Sequence, residues 1–272
     1  MSARDGDRWV VKPGTSVSLA ERDPRDTTGA PGGKKDTKAL LEDLGVELAG
    51  LQERLYAESK QALLVVLQAI DAGGKDGTVK HVFRGVNPQG VRVTSFKQPS
   101  PEELAHDFLW RIHANVPPHG YLGIFNRSHY EDVLIVRVHD LVPESVWRPR
   151  FRHIDHFEAL LHDADIRVVK LFLHISREEQ AARLRARLAD PTKRWKFNPA
   201  DLAERARWDD YQAAYEEAIQ RTSSEHAPWY VIPADRKWFR NWAVSRIVIE
   251  TLDDMDPRYP EPAADLDGIT IT

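Results

Sequence analysis

Three short stretches hold most of the residues able to do chemistry. The first is Asp71-Ala72-Gly73-Gly74-Lys75-Asp76-Gly77-Thr78, which follows an apolar run at 63–67 and opens a segment, 78–86, of helical pattern. A glycine-rich turn between a strand and a helix brings backbone N–H groups together around an anion, and the helix N-terminus adds positive potential. Lys75 adds a full charge there, so Ala72, Gly73, Gly74, Lys75, Asp76, Gly77 and Thr78 are the expected phosphate cradle. As a Walker A pattern the loop is imperfect: Ala69 stands where the first glycine belongs and Asp76 replaces the usual Ser or Thr. That missing hydroxyl ordinarily touches Mg²⁺, so the metal must be held otherwise, and Asp71 at the strand's carboxyl end is the expected ligand.

The second stretch, Asn126-Arg127-Ser128-His129-Tyr130-Glu131-Asp132, ends another apolar run at 121–125. Over a shared crevice, Arg127 can brace a phosphoryl group in transfer, with Glu131 and Asp132 near the acceptor. Asp71, Lys75, Arg127 and Glu131 form the expected catalytic set; Asn126, Arg127, His129, Tyr130, Glu131 and Asp132 are the expected nucleotide contacts. The third stretch carries Arg183, Arg185, Arg187, Lys193, Arg194 and Lys196 against one acid, Asp190. Alone, such a run reads as a solvated face. On a helical flap opposite the phosphate loop, Arg183, Arg187, Lys193 and Lys196 become a clamp for an extended polyanion.

These stretches need a scaffold. Runs at 63–67, 91–93, 121–125, 168–173 and 229–232 read as strands covered on both faces, with helical patterns at 102–116, 151–162 and 236–252 between or after them. The alternation predicts an α/β fold with a mostly parallel, doubly wound sheet and helices on both faces. Residues 36–59 form one amphipathic helix before the core, with Asp36 as its expected N-cap, and 176–223 form a helical lid. The division expected is an N-terminal arm (1–35) ordered only against the body, one domain (36–252), and an acidic, proline-rich tail (253–272) that frays.

Composition narrows the function. The 272 residues contain no cysteine, which excludes disulfides, thiolate metal sites and thiol nucleophiles. A charged N-terminus and the lack of about 18 consecutive apolar residues predict a cytoplasmic protein without membrane contact. Net charge −4 argues against a general nucleic-acid binder. His153, His156 and His162 lack the spacing of a zinc site, and no Gly-x-Ser-x-Gly hydrolase element is present.

Taken together with Asp190-Pro191-Thr192-Lys193-Arg194-Trp195-Lys196-Phe197, the two strand-end motifs resemble the polyphosphate kinase 2 family, over about residues 34–252. The resemblance implies a P-loop, thymidylate-kinase-like three-layer fold with a helical lid. It also implies Mg²⁺-dependent, reversible transfer between inorganic polyphosphate and AMP, ADP or ATP, with Mn²⁺ as a substitute metal, guanine nucleotides as further acceptors, and a homodimer or homotetramer. By motif, Asp71 resembles the family's metal-binding aspartate, Lys75 its loop lysine, Arg127 its catalytic arginine, and Arg187, Lys193 and Lys196 its lid cations. Asn126 stands where many members have Asp and Glu131 where many have Asn, a form resembling the class that accepts nucleoside monophosphates as well as diphosphates. Two other readings of the residues stay open: an NTP-dependent nucleotide kinase on the same fold, and a non-catalytic P-loop module that binds polyanions.

Overall fold

A computed structural model describes residues 4–262 and 271. Six strands, β1 (Val10–Val11), β2 (Ala62–Gln68), β3 (Val91–Ser95), β4 (Leu122–Asn126), β5 (Ile166–His174) and β6 (Trp229–Pro233), form one sheet in the order β1-β6-β5-β2-β4-β3. Every pairing is parallel except β1 with β6. Every residue of β2 is buried, as a central strand with both faces covered requires.

The helices are α1 (Lys34–Glu58), α2 (Lys75–Val82), α3 (Pro101–Leu104), α4 (Trp110–His113), α5 (Ile135–Val138), α6 (Glu144–Trp147), α7 (Arg150–Asp163), α8 (Arg177–Ala189), α9 (Ala200–Ala206), α10 (Trp208–Thr222) and α11 (Lys237–Met255). Side chains alternate along β5: Lys170 reaches Glu158 of α7 and Phe172 packs its tilted ring against Tyr215 of α10. Leu171 and Leu173 therefore face the opposite layer. There α11 packs against both α1 and α2. The result is the three-layer arrangement the alternating pattern predicts.

Several expectations change. The N-terminal arm contributes an edge strand, β1, too short to register as a pattern, and Trp9 is buried edge-to-face against Phe239 and Trp242. Helix α1 begins earlier than expected: Gly33 is its N-cap, and Asp36 sits in the first turn accepting the Gly33 N–H at 3.1 Å. The helix expected over 102–116 splits into α3 and α4, because the Asp107 carboxylate takes the Leu109 N–H at 2.9 Å and turns the chain between them. Residues 253–255 extend α11, and beyond it Arg258 donates its backbone N–H to Glu58 and Tyr259 its hydroxyl to Glu53. The remainder of the expected tail, 263–270 and 272, and residues 1–3 of the expected arm lie outside the described residues. Within the expected lid, α10 buries Ala214, Tyr215, Ala218 and Ile219 and belongs to the core layer; α8, the turn at Arg194–Lys196 and α9 carry few buried side chains.

Candidate active site

Strand β2 ends at Gln68, and the chain turns into α2 through two residues of positive φ, Ala72 (61°) and Gly74 (109°). Glycine at 73 is required by close approach: an added Cβ would stand 2.4 Å from the Ala69 Cβ and 2.7 Å from the Ile70 carbonyl oxygen. The first N–H groups of α2, at Lys75, Asp76 and Gly77, have no acceptor within the helix and open on the loop. The Lys75 ammonium is folded beneath it, donating to the Ala69 carbonyl at 2.7 Å. Burial, reinforced by Arg127, pushes the Lys75 pKa down to about 8 against the opposing pull of Asp71, Glu131 and Asp76.

Parallel register sets the second motif beside the first, since Leu67 of β2 lies opposite Asn126 of β4. Arg127 follows at φ 64° and donates its backbone N–H to Leu67 O at 3.1 Å. Its guanidinium reaches Asp71 Oδ1 at 2.7 Å and Glu131 Oε2 at 3.5 Å. Glu131, then Asp71, raise the Arg127 pKa against burial, so the charge is permanent. Gln68, fully buried, joins the two strand ends: its amide nitrogen donates to Glu131 Oε1 at 3.1 Å and its oxygen accepts from the Ser128 N–H and hydroxyl at 3.2 Å.

The basic flap closes the third side. Asp76 accepts from Asn126 Nδ2 at 2.9 Å and from Lys196 Nζ at 3.2 Å, linking loop, β4 tip and flap. Arg183 donates to the carbonyls of Ala72 (3.0 Å), Gly73 (2.8 Å) and Ala234 (2.6 Å) and to Glu179 (2.7 Å). Arg187 lies 3.8 Å from Asp201, and Lys193 pairs with Asp190. Loop, β4 tip and flap line a single cleft of about 1270 Å³ with ten Lys or Arg side chains against four carboxylates. An excess of this size selects a polyanion.

The structure thus brings Asp71, the loop 72–77, Asn126, Arg127, Arg183, Arg187, Lys193 and Lys196 onto one crevice. It removes others. His129 and Tyr130, expected at the nucleotide, have no exposed surface; they point down to Glu158, which accepts from Tyr130 Oη at 2.9 Å and lies 3.2 Å from the His129 ring. Asp132, also expected there, is held by Arg150 at 3.0 Å, and burial raises its pKa. Thr78 is buried with both its N–H and hydroxyl on Gly74 O, so it offers no donor to phosphate. The Arg183 donors, taken up by those carbonyls, tie α8 to the loop in place of the direct phosphate contact expected. Sequence reasoning missed Lys38, His81, Lys97, Lys237 and Arg240, all lining the cleft. Lys97, two residues past the end of β3, and Lys237 and Arg240, just after the β6 tip, carried a positional signal; Lys38 and His81 come from exposed helix positions with none.

Fold and site together define a P-loop phosphotransferase: a parallel sheet, a phosphate loop at a strand end, and a cation-rich helical flap over it. The chain belongs to the polyphosphate kinase 2 family, whose model, described as "Polyphosphate kinase 2 (PPK2)", matches residues 32–260. It is 54% identical over 264 residues, covering 97% of this chain and 99% of the relative, to an AMP/ADP-polyphosphate phosphotransferase of Meiothermus ruber. It is 47% identical to an ADP-polyphosphate phosphotransferase of Rhodopseudomonas palustris, over 84% of this chain and 83% of that protein. The crystal structure of polyphosphate kinase 2 from Arthrobacter aurescens TC1 superposes with a TM-score of 0.94 at 45% identity, covering 97% of this chain and 94% of that one.

Proposed function

We propose that this enzyme transfers phosphoryl groups from inorganic polyphosphate to AMP and ADP, reversibly, with a divalent cation, Mg²⁺ or Mn²⁺, and that guanine nucleotides are further acceptors. The observation that carries the reading is the single cleft in which Lys75, Arg127 and the flap cations face one another. The nucleophile is an acceptor phosphate oxygen, ionised at neutral pH, so the protein needs to align and neutralise charge more than to remove a proton. The loop N–H groups and Lys75 hold donor phosphates, and Arg127, fixed by Asp71 and Glu131, meets the group in flight. Within residues 176–223, proposed as the lid on the 36–252 kinase domain, the outer part from α8 to α9 excludes the water that would compete as acceptor, while α10 anchors it to the core.

Asp71 suits a metal carried in with phosphates. Among the described residues Oδ1 accepts from Arg127 while Oδ2 has no partner, and no cluster of three or more His, Asp or Glu could cage an ion. Mg²⁺ commonly takes one or two protein carboxylates and draws its other ligands from water and phosphate. When bound, it would neutralise charge on the phosphate oxygens.

Among the described residues no helix is long and apolar enough to cross a membrane; cytoplasmic location is part of the same proposal. So is assembly as a homodimer or homotetramer, for which the exposed Leu104, Leu141 and Leu160 offer apolar surface.

Polyphosphate and ATP supplied separately as donors to AMP test the reading: transfer from polyphosphate and little from ATP is expected, and the reverse would place the chain among NTP-dependent kinases. The Lys75 pKa adds a pH signature. A lysine depressed to about 8 loses its charge as pH rises through that value, so kcat/KM for polyphosphate falls above about pH 8. Bound phosphate favours the charged form, so the kcat profile breaks at higher pH than kcat/KM. Lys75→Arg, which stays charged, removes the break.

A further inference from the structure

Gln68 closes β2 just before the phosphate loop, yet it has no exposed surface and does not line the cleft. A buried glutamine amide has two N–H donors and an oxygen with two lone pairs to satisfy. All of them are spent around Arg127. The oxygen accepts from the N–H and the hydroxyl of Ser128, each at 3.2 Å. The nitrogen donates to Glu131 Oε1 at 3.1 Å and lies 3.3 Å from Tyr215 Oη.

These contacts continue the pairing of β2 with β4 past its last backbone pair, Leu67 with Asn126. Leu67 O takes the Arg127 N–H at 3.1 Å, and the Gln68 side chain takes the next one, that of Ser128. Between the two anchors stands Arg127 at φ 64°, a conformation that a residue other than glycine keeps only where its surroundings over-determine it. Ser128 in turn accepts the Tyr130 N–H at 3.2 Å and so starts the short turn His129–Asp132 that carries Glu131.

Glu131 exerts the largest charge effect on Arg127, but it touches the guanidinium only at 3.5 Å, the limit of a hydrogen bond. A phosphate arriving at Arg127 repels that carboxylate. A cation in the place of Gln68 would hold Glu131 but weaken its pull on Arg127. A neutral amide holds the carboxylate and leaves its charge intact.

We propose that Gln68 is a positioning residue for phosphoryl transfer: through Ser128 and Glu131 it keeps the Arg127 guanidinium aimed at the group in flight. That role rests on Arg127 meeting the group transferred from polyphosphate.

Gln68→Met, close in volume but without the amide, is assayed in the full-length enzyme with polyphosphate and AMP, beside Arg127→Lys and the double variant. On the wild-type background kcat is expected to fall about 100-fold, the cost of displacing a reacting group by about 1 Å, while both KM values move less than about threefold. On the Arg127→Lys background the same substitution is expected to change kcat less than about threefold, because its effect passes through the guanidinium. Equal falls on both backgrounds, or a lower Tm with wild-type kcat, would assign Gln68 to the fold and overturn the positioning role. Gln68→Glu gives a reading that does not depend on the methionine variant folding. It sets two carboxylates face to face, and Glu131→Gln restores one amide and one carboxylate across the same gap. Gln68→Glu is therefore expected to lower kcat about tenfold less on the Glu131→Gln background than on the wild type. Equal losses would overturn the proposal and leave polyphosphate as donor. Wild-type enzyme that takes no phosphoryl group from polyphosphate would overturn the donor reading and, with it, this role.

Discussion

Arg127→Lys is expected to lower kcat for transfer from polyphosphate to AMP by about 10³-fold, the scale on which an arginine at a transferring phosphoryl group acts. The substitution keeps the charge and the backbone strain, since lysine at φ 64° is no worse placed than arginine. It removes the planar fork that reaches Asp71 and Glu131 together. The loss therefore reads geometry. KM for AMP should move less than tenfold, because the fork matters most when charge spreads over the phosphoryl oxygens. Steady-state kinetics with both substrates varied, beside a melting curve matching wild type, check it; kcat within a few-fold of wild type would remove Arg127 from the reaction.

The second large effect lies beneath the site. Lys170, in the middle of β5, has no exposed surface, and its ammonium contacts Glu158 Oε2 at 2.5 Å, Thr222 O at 2.6 Å and Tyr130 Oη at 3.0 Å. Glu158 also meets Tyr130 and His129, so the network grips the segment that follows Arg127 from below. Burial pulls the Lys170 pKa down against Glu158, while Lys170 and His129 hold the Glu158 carboxyl low against its own burial. Lys170→Met leaves that carboxylate buried without a cation, and a loss of about 3–5 kcal/mol is expected. Thermal melting should show a drop of about 10 °C for a chain of this size. Adding Glu158→Gln removes the stranded charge and should restore much of the stability. A double variant no more stable than Lys170→Met would show that packing, and not charge, governs the site.

The parts of this protein legible in its sequence are those whose physics is local. Five apolar runs marked five of the six strands; β2, β4, β5 and β6 are covered on both faces and so apolar along their length, whereas β3, expected to be covered as well, lies at the sheet edge with Arg92, Val93 and Ser95 exposed and showed only through its valines. The phosphate loop was readable because glycines at 73 and 74 and a following helix start are themselves the anion-binding device. Arg127 was readable because it lies one residue past a strand end, at the carboxyl end of the sheet where crevices form. The two-residue β1 was not, being too short to show a period, and Trp9 could not be told from any exposed tryptophan until α11 was packed on it.

Tertiary structure alone decided what each charged or polar side chain meets. His129 and Tyr130 share a motif with Arg127, yet they face Glu158 and Lys170, which are 29 and 40 residues away in sequence from His129 and Tyr130 respectively. Of the two carboxylates that hold Arg127, the one at 2.7 Å comes from Asp71, 56 residues earlier, and the loop's neighbouring guanidinium comes from Arg240 on the last helix. A strand or a glycine turn is set by dihedral preference and side-chain alternation within a few residues. The burial of a charge and the sign of its neighbour are set by which distant segments pack beside it, and one sequence read in order does not contain that distance.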